Sequence, residues 1–306
     1  MSSGVAASAR RFAVCALTCV LAACSGGTQG RPTTISVIGA ENMYAEVIKE
    51  IGGPYVTVTS ILDNPNSDPH AYESSTADAS AVGKADLIVQ NGMGYDAFME
   101  KLEDASPHAG RTVIDVGERL GFKSDDNPHV WYQPQTMPTL AGVITAELSR
   151  RDPAHAAVFE ANREKFITSL KPWVTQIDAL RHAFPAAPVA VTEPVFNYTA
   201  DAIGLDVRTR NAFQLAVEEG NDPAPQDVAA MRTLLTTHAV RLFIYNQQTV
   251  EPTTQELLDL AHRSHIPVVG VYETMPAGYT YARWMTAETD AIGLALRRHR
   301  STERLR

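Results

Sequence analysis

The stretch Ile35-Ser-Val-Ile-Gly-Ala-Glu-Asn-Met-Tyr-Ala-Glu-Val-Ile-Lys-Glu-Ile51 contains the pattern that decides the fold. Its first five residues form a short apolar run, which is typical of a buried strand. Met43, Val47 and Ile51 then recur at a four-residue spacing, which places them on one helix face. The stretch therefore predicts a strand followed directly by a helix.

The same strand-then-helix pattern recurs along the rest of the chain. In the first half we predict strands at 55–62, 86–90 and 112–116 and helices at 42–51, 75–82 and 98–102. After residue 187 the pattern starts again, with strands at 188–192, 241–245 and 266–272 and helices at 195–203, 225–236 and 253–263. Strands that alternate with helices form mainly parallel sheets covered on both faces. The predicted fold class is therefore α/β, with two Rossmann-like lobes.

A long apolar stripe lies between the two halves. Apolar side chains recur every three, four or seven residues over 152–184, which predicts one long linker helix with Asp152 and Pro153 at its start. Pro172 lies inside this stretch, so we expect a kink or break near residues 168–171. The predicted domains are a first lobe over 33–151, a linker over 152–186 and a second lobe over 187–306.

The first 32 residues indicate export and anchoring. Arg10 and Arg11 precede an apolar run over 12–23, which is too short to cross a membrane. Leu21-Ala-Ala-Cys24 resembles a bacterial lipobox, which predicts a signal peptide over 1–23, a lipid on Cys24 and a tether over 24–32. We therefore expect the protein on the extracytoplasmic face of the cell membrane. The alternative is an ordinary secretory signal with an incidental cysteine.

Charge and cysteine content exclude several classes of protein. The formal net charge of -9 disfavours a nucleic-acid partner, because no basic surplus is present to neutralise phosphates. The three cysteines stand at positions 15, 19 and 24. Residues 25–306 therefore contain no disulfide, no cysteine-ligated zinc site and no cysteine nucleophile.

Two of the nine histidines occur in a repeated motif. Asp68-Pro-His70-Ala-Tyr72 and Asn127-Pro-His129-Val-Trp131 share the pattern Asp/Asn-Pro-His-x-aromatic. Proline stiffens the loop, and Asp or Asn can bond nearby backbone groups, so each imidazole is presented from a rigid support. His70 and His129 are therefore candidate metal ligands.

Two glutamates follow apolar strands of the second half. Glu193 comes after the predicted strand at 188–192, and Glu273 comes after the strand at 266–272. Open α/β sheets place their ligand crevices at the carboxyl ends of strands, so both are candidate ligands. The alternative for each is a turn glutamate that faces water.

These motifs occur in an order that resembles one protein family. The shared segments are Ala40-Glu-Asn-Met-Tyr44, Ile51-Gly-Gly53, both Pro-His motifs, Asn91-Gly-x-Gly94, Thr192-Glu-Pro-Val-Phe196, Glu218-Glu-Gly-Asn-Asp222, Tyr245-Asn246, Gln248-Thr249 and Glu273-Thr-Met-Pro276. They resemble the cluster A-I solute-binding lipoproteins of bacterial zinc and manganese ABC importers. The resemblance implies two α/β lobes joined by one long helix, with one metal ion in the cleft between them.

The resemblance also implies the ligands and the partner. His70 and His129 match the family's first two ligands, Glu193 matches the third and Glu273 the fourth, where the family usually has aspartate. Glu218, Glu219 or Asp222 could supply the fourth ligand instead. The implied cargo is one Zn²⁺ or Mn²⁺ ion, with Fe²⁺ a weaker candidate, and the implied partner is an ABC permease that receives it from a monomer.

Two other functions compete with metal capture. A zinc hydrolase needs an open coordination position, yet no His-Glu-x-x-His or Gly-x-Ser-x-Gly motif is present. We therefore expect no enzymatic activity. A metal-binding surface lipoprotein that acts as an adhesin is the other alternative, because the same fold can display a surface.

Overall fold

The computed structural model describes residues 1–4, 34–64 and 72–305. Residues 1–4 form no helix or strand. The chain from Thr34 to Arg306 is one compact unit, and its described residues carry all the elements below.

The first half contains a parallel sheet with helices around it. Its strands are β1 (Ile35–Glu41), β2 (Val56–Leu62), β3 (Leu87–Gln90) and β4 (Thr112–Asp115), in the order β2-β1-β3-β4. Its helices are α1 (Asn42–Gly52), α2 (Thr76–Val82), α3 (Ala97–Ala105), α4 (Val116–Leu120) and α5 (Thr136–Arg151). Strands β1 to β4 pair in parallel, as the alternation of strands and helices predicts.

The turn from β1 into α1 is tight because Gly39 has no side chain. A Cβ atom at Gly39 would lie 2.4 Å from the backbone nitrogen of Ala45. The amino end of α1 therefore packs directly against the carboxyl end of β1. The predicted strand and helix at 35–51 are both confirmed.

The predicted linker helix is interrupted near its middle. A short 3-10 helix at Pro153–His155 leads into α6 (Ala156–Ser169), and α7 (Lys171–Ala183) follows. Leu170 separates the two helices, and Pro172 lies in the first turn of α7, so the expected break is confirmed. Asp152 occupies the N-cap position of the short 3-10 helix and Pro153 follows it, as expected. The Asp152 carboxylate contacts Nδ1 of His155 at 2.6 Å and makes no capping bond to a backbone N–H.

The second half repeats the architecture of the first. Its strands are β5 (Pro188–Val191), β6 (Asp206–Val207), β7 (Phe243–Asn246) and β8 (Val268–Val271), in the order β6-β5-β7-β8, all parallel. Its helices are α8 (Asn197–Ile203), α9 (Asn211–Glu218), α10 (Pro225–Thr236), α11 (Pro252–Arg263) and α12 (Tyr281–Arg298). Two parallel-sheet α/β lobes are therefore present.

One apolar cluster extends through both halves. It contains Val37 and Leu140 from the first half, Phe166 from the linker, and Val189 and Trp284 from the second half. Within the described residues, no helix combines the length and apolar character that a membrane crossing requires.

Candidate metal centre

His129 has no exposure to solvent and contacts Tyr95 of the first half and Glu273 of the second. It precedes a 3-10 helix at Val130–Tyr132, and the ring of Trp131 packs against its imidazole with centroids 5.1 Å apart. Tyr95 contacts the same imidazole edge-on, with centroids 5.7 Å apart. The aromatic residue two positions after His129 therefore shields the ring from water, as the motif indicates.

Asn127 fixes the orientation of the His129 ring. The Asn127 side-chain amide donates to the carbonyl of Pro194 at 2.8 Å, which identifies its other atom as the oxygen. That oxygen lies 2.8 Å from Nδ1 of His129 and can only accept a hydrogen bond. In the neutral ring Nδ1 therefore carries the proton, and Nε2 presents a lone pair to the site.

Two carboxylates face Nε2 of His129. Oε2 of Glu273 lies 3.5 Å from Nε2, and Oε1 of Glu218 lies 3.6 Å from it. Nε2 makes no hydrogen bond with the described residues. A nitrogen lone pair that faces carboxylates is repelled by them unless a proton or a metal cation lies between the atoms. The arrangement therefore favours a bound cation.

Glu193 and Glu273 are brought together at the end of the second sheet. Glu193 follows β5, Glu273 follows β8, and both are buried. Asn246, at the end of β7 between those strands, donates to Oε2 of Glu193 at 2.8 Å and to Oε1 of Glu273 at 2.5 Å. One amide therefore holds both candidate carboxylates.

Several acidic side chains surround Tyr95 at the site. Burial raises the pKa of the Tyr95 hydroxyl well above its ordinary value, and the charges of Glu273, Glu41 and Glu218 raise it further. Burial also raises the pKa of Asp96 to about 7, although the N–H groups of Gly92 and Asn91 favour its ionised form. The acids that surround Tyr95 make a divalent cation a favourable occupant of the site.

The structure assembles three of the predicted site residues. His129, Glu193 and Glu273 lie in one buried polar cluster, and Glu218 joins it from the last turn of α9. His70 and Cys24 lie outside the described residues. Among the described residues, no group of three or more His, Cys, Asp or Glu side chains is arranged so that it could hold a metal ion. The four-ligand assignment therefore remains a prediction.

Two polar residues of the site have roles that sequence reasoning missed. Asn246 belongs to a segment shared with the resembled family, yet no role followed from that resemblance. Its signal was its position at the end of an apolar strand, which Glu193 and Glu273 also follow. Tyr95 follows Asn91-Gly-x-Gly94 and donates to Oε2 of Glu273 at 3.1 Å, a contact between residues 178 positions apart.

Comparison with known families agrees with this architecture. The family model described as "Zinc-uptake complex component A periplasmic" matches residues 37–295, which is most of the chain and includes both lobes. The chain belongs to this family.

Curated relatives of this protein are named as metal-binding or metal-transporter lipoproteins. The manganese ABC transporter substrate-binding lipoprotein PsaA of Streptococcus mitis is 24% identical over 296 residues, covering 90% of this chain and 94% of that protein. The manganese-binding lipoprotein MntA of Bacillus subtilis is 24% identical over 276 residues, covering 84% of this chain and 87% of MntA. Both relatives are named as lipoproteins.

Solved structures share the fold of this family member. The solute-binding protein FpvC of Pseudomonas aeruginosa, solved with Mn²⁺, superposes with a TM-score of 0.72 at 20% identity, covering 87% of this chain and 99% of FpvC. A crystal structure of ZnuA superposes with a TM-score of 0.67 at 20% identity, covering 86% of this chain and 97% of ZnuA. The two-lobed architecture is thus the family's fold.

Proposed function

We propose that this protein is the extracytoplasmic substrate-binding component of an ABC importer. It captures one divalent transition metal ion, Zn²⁺ or Mn²⁺, and delivers it to the membrane permease. The observation that carries the proposal is the Nε2 lone pair of His129, aimed at the carboxylates of Glu273 and Glu218. The named functions of the relatives and the family membership support it.

The donor distances fit a shared ion. Ligands held about 2.0–2.2 Å from a tetrahedral zinc ion lie roughly 3.4 Å from one another. The separations from His129 Nε2 to Glu273 and Glu218, 3.5 and 3.6 Å, match that spacing. Imidazole suits zinc, and carboxylate oxygens also accept manganese, so the donor set is compatible with both ions.

The donor set favours capture over catalysis. A catalytic zinc ion normally has three protein ligands and one open position for water. Here we propose four protein ligands: His70, His129, Glu193 and Glu273, with Glu218 as the alternative to Glu273. Ligands of that number leave no position for a substrate. We therefore propose a binding protein without enzymatic activity.

Metal titration of single-site variants tests the proposal. His129→Ala, Glu193→Gln, Glu273→Gln and His70→Ala should each weaken Zn²⁺ binding by at least 10–100-fold, because loss of even an outer partner costs about that much. Each should also lose the metal-dependent rise in melting temperature, which comes from metal binding to the folded state alone. Elemental analysis of protein from its native envelope then identifies the ion.

Matched histidine variants provide the controls. His155→Ala removes a ring stacked on Tyr55, and His262→Ala removes a half-exposed ring paired with Glu303. Both should keep wild-type metal affinity. Normal affinity in Glu273→Gln together with weak binding in Glu218→Gln would transfer the fourth-ligand role to Glu218. Wild-type affinity in both His70→Ala and His129→Ala would refute the metal-capture proposal.

We further propose that a lipid on Cys24 holds the protein at the membrane. Leu21-Ala-Ala-Cys24 and the lipoprotein names of the relatives support this proposal. Cys24→Ala should move the protein from the detergent phase to the aqueous phase or leave it unprocessed, because stable anchoring requires acyl chains. Intact mass spectrometry measures the lipid directly. An unchanged mass and unchanged partitioning would contradict the anchor.

A further inference from the structure

Asn246 occupies a central position at the carboxyl edge of the second sheet. It is the last residue of β7, the strand between β5 and β8, and its side chain is 1% exposed. Its backbone N–H donates to Oγ1 of Thr192 at 3.1 Å, which ties it to the residue before Glu193. Asn246 is therefore fixed between the two strands whose ends carry Glu193 and Glu273.

The orientation of the Asn246 amide follows from its contacts. Its oxygen accepts a hydrogen bond from the backbone N–H of Gln248 at 3.0 Å. The amide nitrogen therefore faces the two carboxylates, and its two N–H groups donate to one oxygen of each. The opposite orientation would place three acceptor oxygens against one another in a buried site.

The two oxygens of Glu273 have different surroundings. Oε1 accepts from Asn246, whereas Oε2 accepts from Tyr95 and is the oxygen that lies 3.5 Å from Nε2 of His129. The backbone N–H of Glu273 also donates to Oε1 of Gln248 at 2.6 Å, which holds the loop in place. An ion shared with His129 therefore meets Oε2, while Oε1 is directed to Asn246.

We propose that Asn246 is a positioning residue that limits Glu193 and Glu273 to one metal-bound oxygen each. The inference rests on the proposed function and deepens it by naming the coordination that the site favours. Bidentate binding would require either glutamate to rotate its second oxygen toward the ion and away from Asn246. That rotation would lengthen or break the hydrogen bond of a buried N–H, which is costly. One-oxygen ligands keep the coordination number near four.

A low coordination number discriminates between the two candidate ions. Zinc accepts four ligands in a tetrahedral arrangement, whereas manganese favours six oxygen-rich positions. Asn246 therefore shifts the balance of the site toward Zn²⁺. Zinc also binds more tightly than manganese at most sites, so the informative quantity is the change in their affinity ratio on mutation.

Paired affinities for Zn²⁺ and Mn²⁺ test the proposal in the full-length protein. Asn246→Ala should weaken Zn²⁺ binding on the order of 10–100-fold, the usual effect of losing an outer partner of a ligand. Mn²⁺ binding should fall much less, because the freed carboxylates can supply both oxygens. The dissociation constant for Mn²⁺ divided by that for Zn²⁺ should therefore decrease by about 10-fold or more.

A second amide variant controls for the loss of a hydrogen bond from a side chain to the backbone. Asn162 lies on α6, and its half-buried amide donates to the carbonyl of Ile51 at 3.0 Å. Asn162→Ala removes that hydrogen bond. It should leave both affinities unchanged. If Asn246→Ala lowers both affinities by the same factor, or neither, its role is not selective and the proposal is overturned.

X-ray absorption of the wild-type protein gives a test that needs no variant. The Zn²⁺-loaded protein should show about four short nitrogen and oxygen bonds and no carbon distance typical of a bidentate carboxylate. A bidentate glutamate in this spectrum would overturn the proposal. These results separate two failures, because a wild type that binds neither ion refutes the proposed function as well. Tight binding with a bidentate glutamate refutes the role of Asn246 alone.

Discussion

Glu288 lies on the inward face of α12, where solvent does not reach it. Trp284 donates its indole N–H to Oε1 at 2.7 Å. The Tyr132 hydroxyl lies 2.6 Å from Oε2 and 2.7 Å from the carbonyl of Tyr272. A hydroxyl has one proton, so both contacts are satisfied when Glu288 is protonated and donates to Tyr132. Burial raises the pKa of Glu288 to about 8, which agrees with this arrangement.

The raised pKa of Glu288 makes the stability of the protein depend on pH. The folded state keeps the proton up to about pH 8, whereas the unfolded chain releases it near pH 4.3. The free energy of unfolding contributed by Glu288 is therefore fully present below pH 4 and is lost as pH rises to about 8. Glu288→Gln keeps a neutral side chain with one acceptor and one donor group. It should therefore be more stable than wild type at pH 8–9, by at most a few kcal/mol.

Melting temperatures of the metal-free proteins between pH 5 and pH 9 measure this difference. The gap between Glu288→Gln and wild type should widen as pH rises. Glu164→Gln, at a carboxylate on α6 whose side chain is 60% exposed, provides the control and should leave the profile unchanged. Parallel pH profiles for Glu288→Gln and wild type would show that Glu288 is ionised in the folded protein.

Sequence reasoning found residues with local signatures and missed those defined by distant contacts. His129 was predicted because Asn127 and Trp131, which position it, are its neighbours in the chain. Asn246 and Tyr95 act on Glu273 from positions 27 and 178 residues away. No spacing along the chain encodes those contacts, because they arise only when separate strands and helices meet.

At the scale of elements, proline residues made several helix boundaries predictable. The observed α10 begins at Pro225 and ends at Thr236, as predicted, because proline suits the first turn of a helix. The break at Leu170 likewise followed from Pro172. β1 and β7 differ from their predicted bounds by one or two residues at their ends.

Four helices of the described chain have no counterpart among the predicted helices. They are α4, α5, α9 and α12, of which α12 is 18 residues long. In α12 the buried set includes the polar residues Glu288 and Thr289 beside Trp284, so its apolar stripe is interrupted. The Glu288 carboxyl group forms a hydrogen bond with Tyr132, and the Thr289 hydroxyl accepts one from Trp173. Both partners belong to other elements. Their burial depends on tertiary partners, and for that reason periodicity did not reveal the helix.

At the scale of the molecule, the two halves are joined by more than the linker. One apolar cluster contains residues of both sheets. Asn42 of α1 pairs with the backbone of Met275, donating to its carbonyl at 2.8 Å and accepting from its N–H at 2.9 Å. The Tyr281 hydroxyl donates to the carbonyl of Trp131 at 2.5 Å. These contacts are buried, and Met275 lies two residues from Glu273.

These contacts predict small motion of the lobes on metal binding. Separating the halves would break packed apolar surface and would leave buried donors unpaired, at a cost of about 1–3 kcal/mol for each group. Small-angle scattering of metal-free and Zn²⁺-loaded protein should therefore give coincident profiles. Asn42→Ala removes both bonds to Met275, and its metal-free profile should depart further from the loaded one.

A large compaction of the wild type on Zn²⁺ binding would contradict this prediction. It would mean that the contacts between the halves form only around the ion, so that release requires the whole molecule to open. Coincident profiles would instead place release in the loops that carry His129 and Glu273, where a local shift separates the ligands while the shared core stays intact.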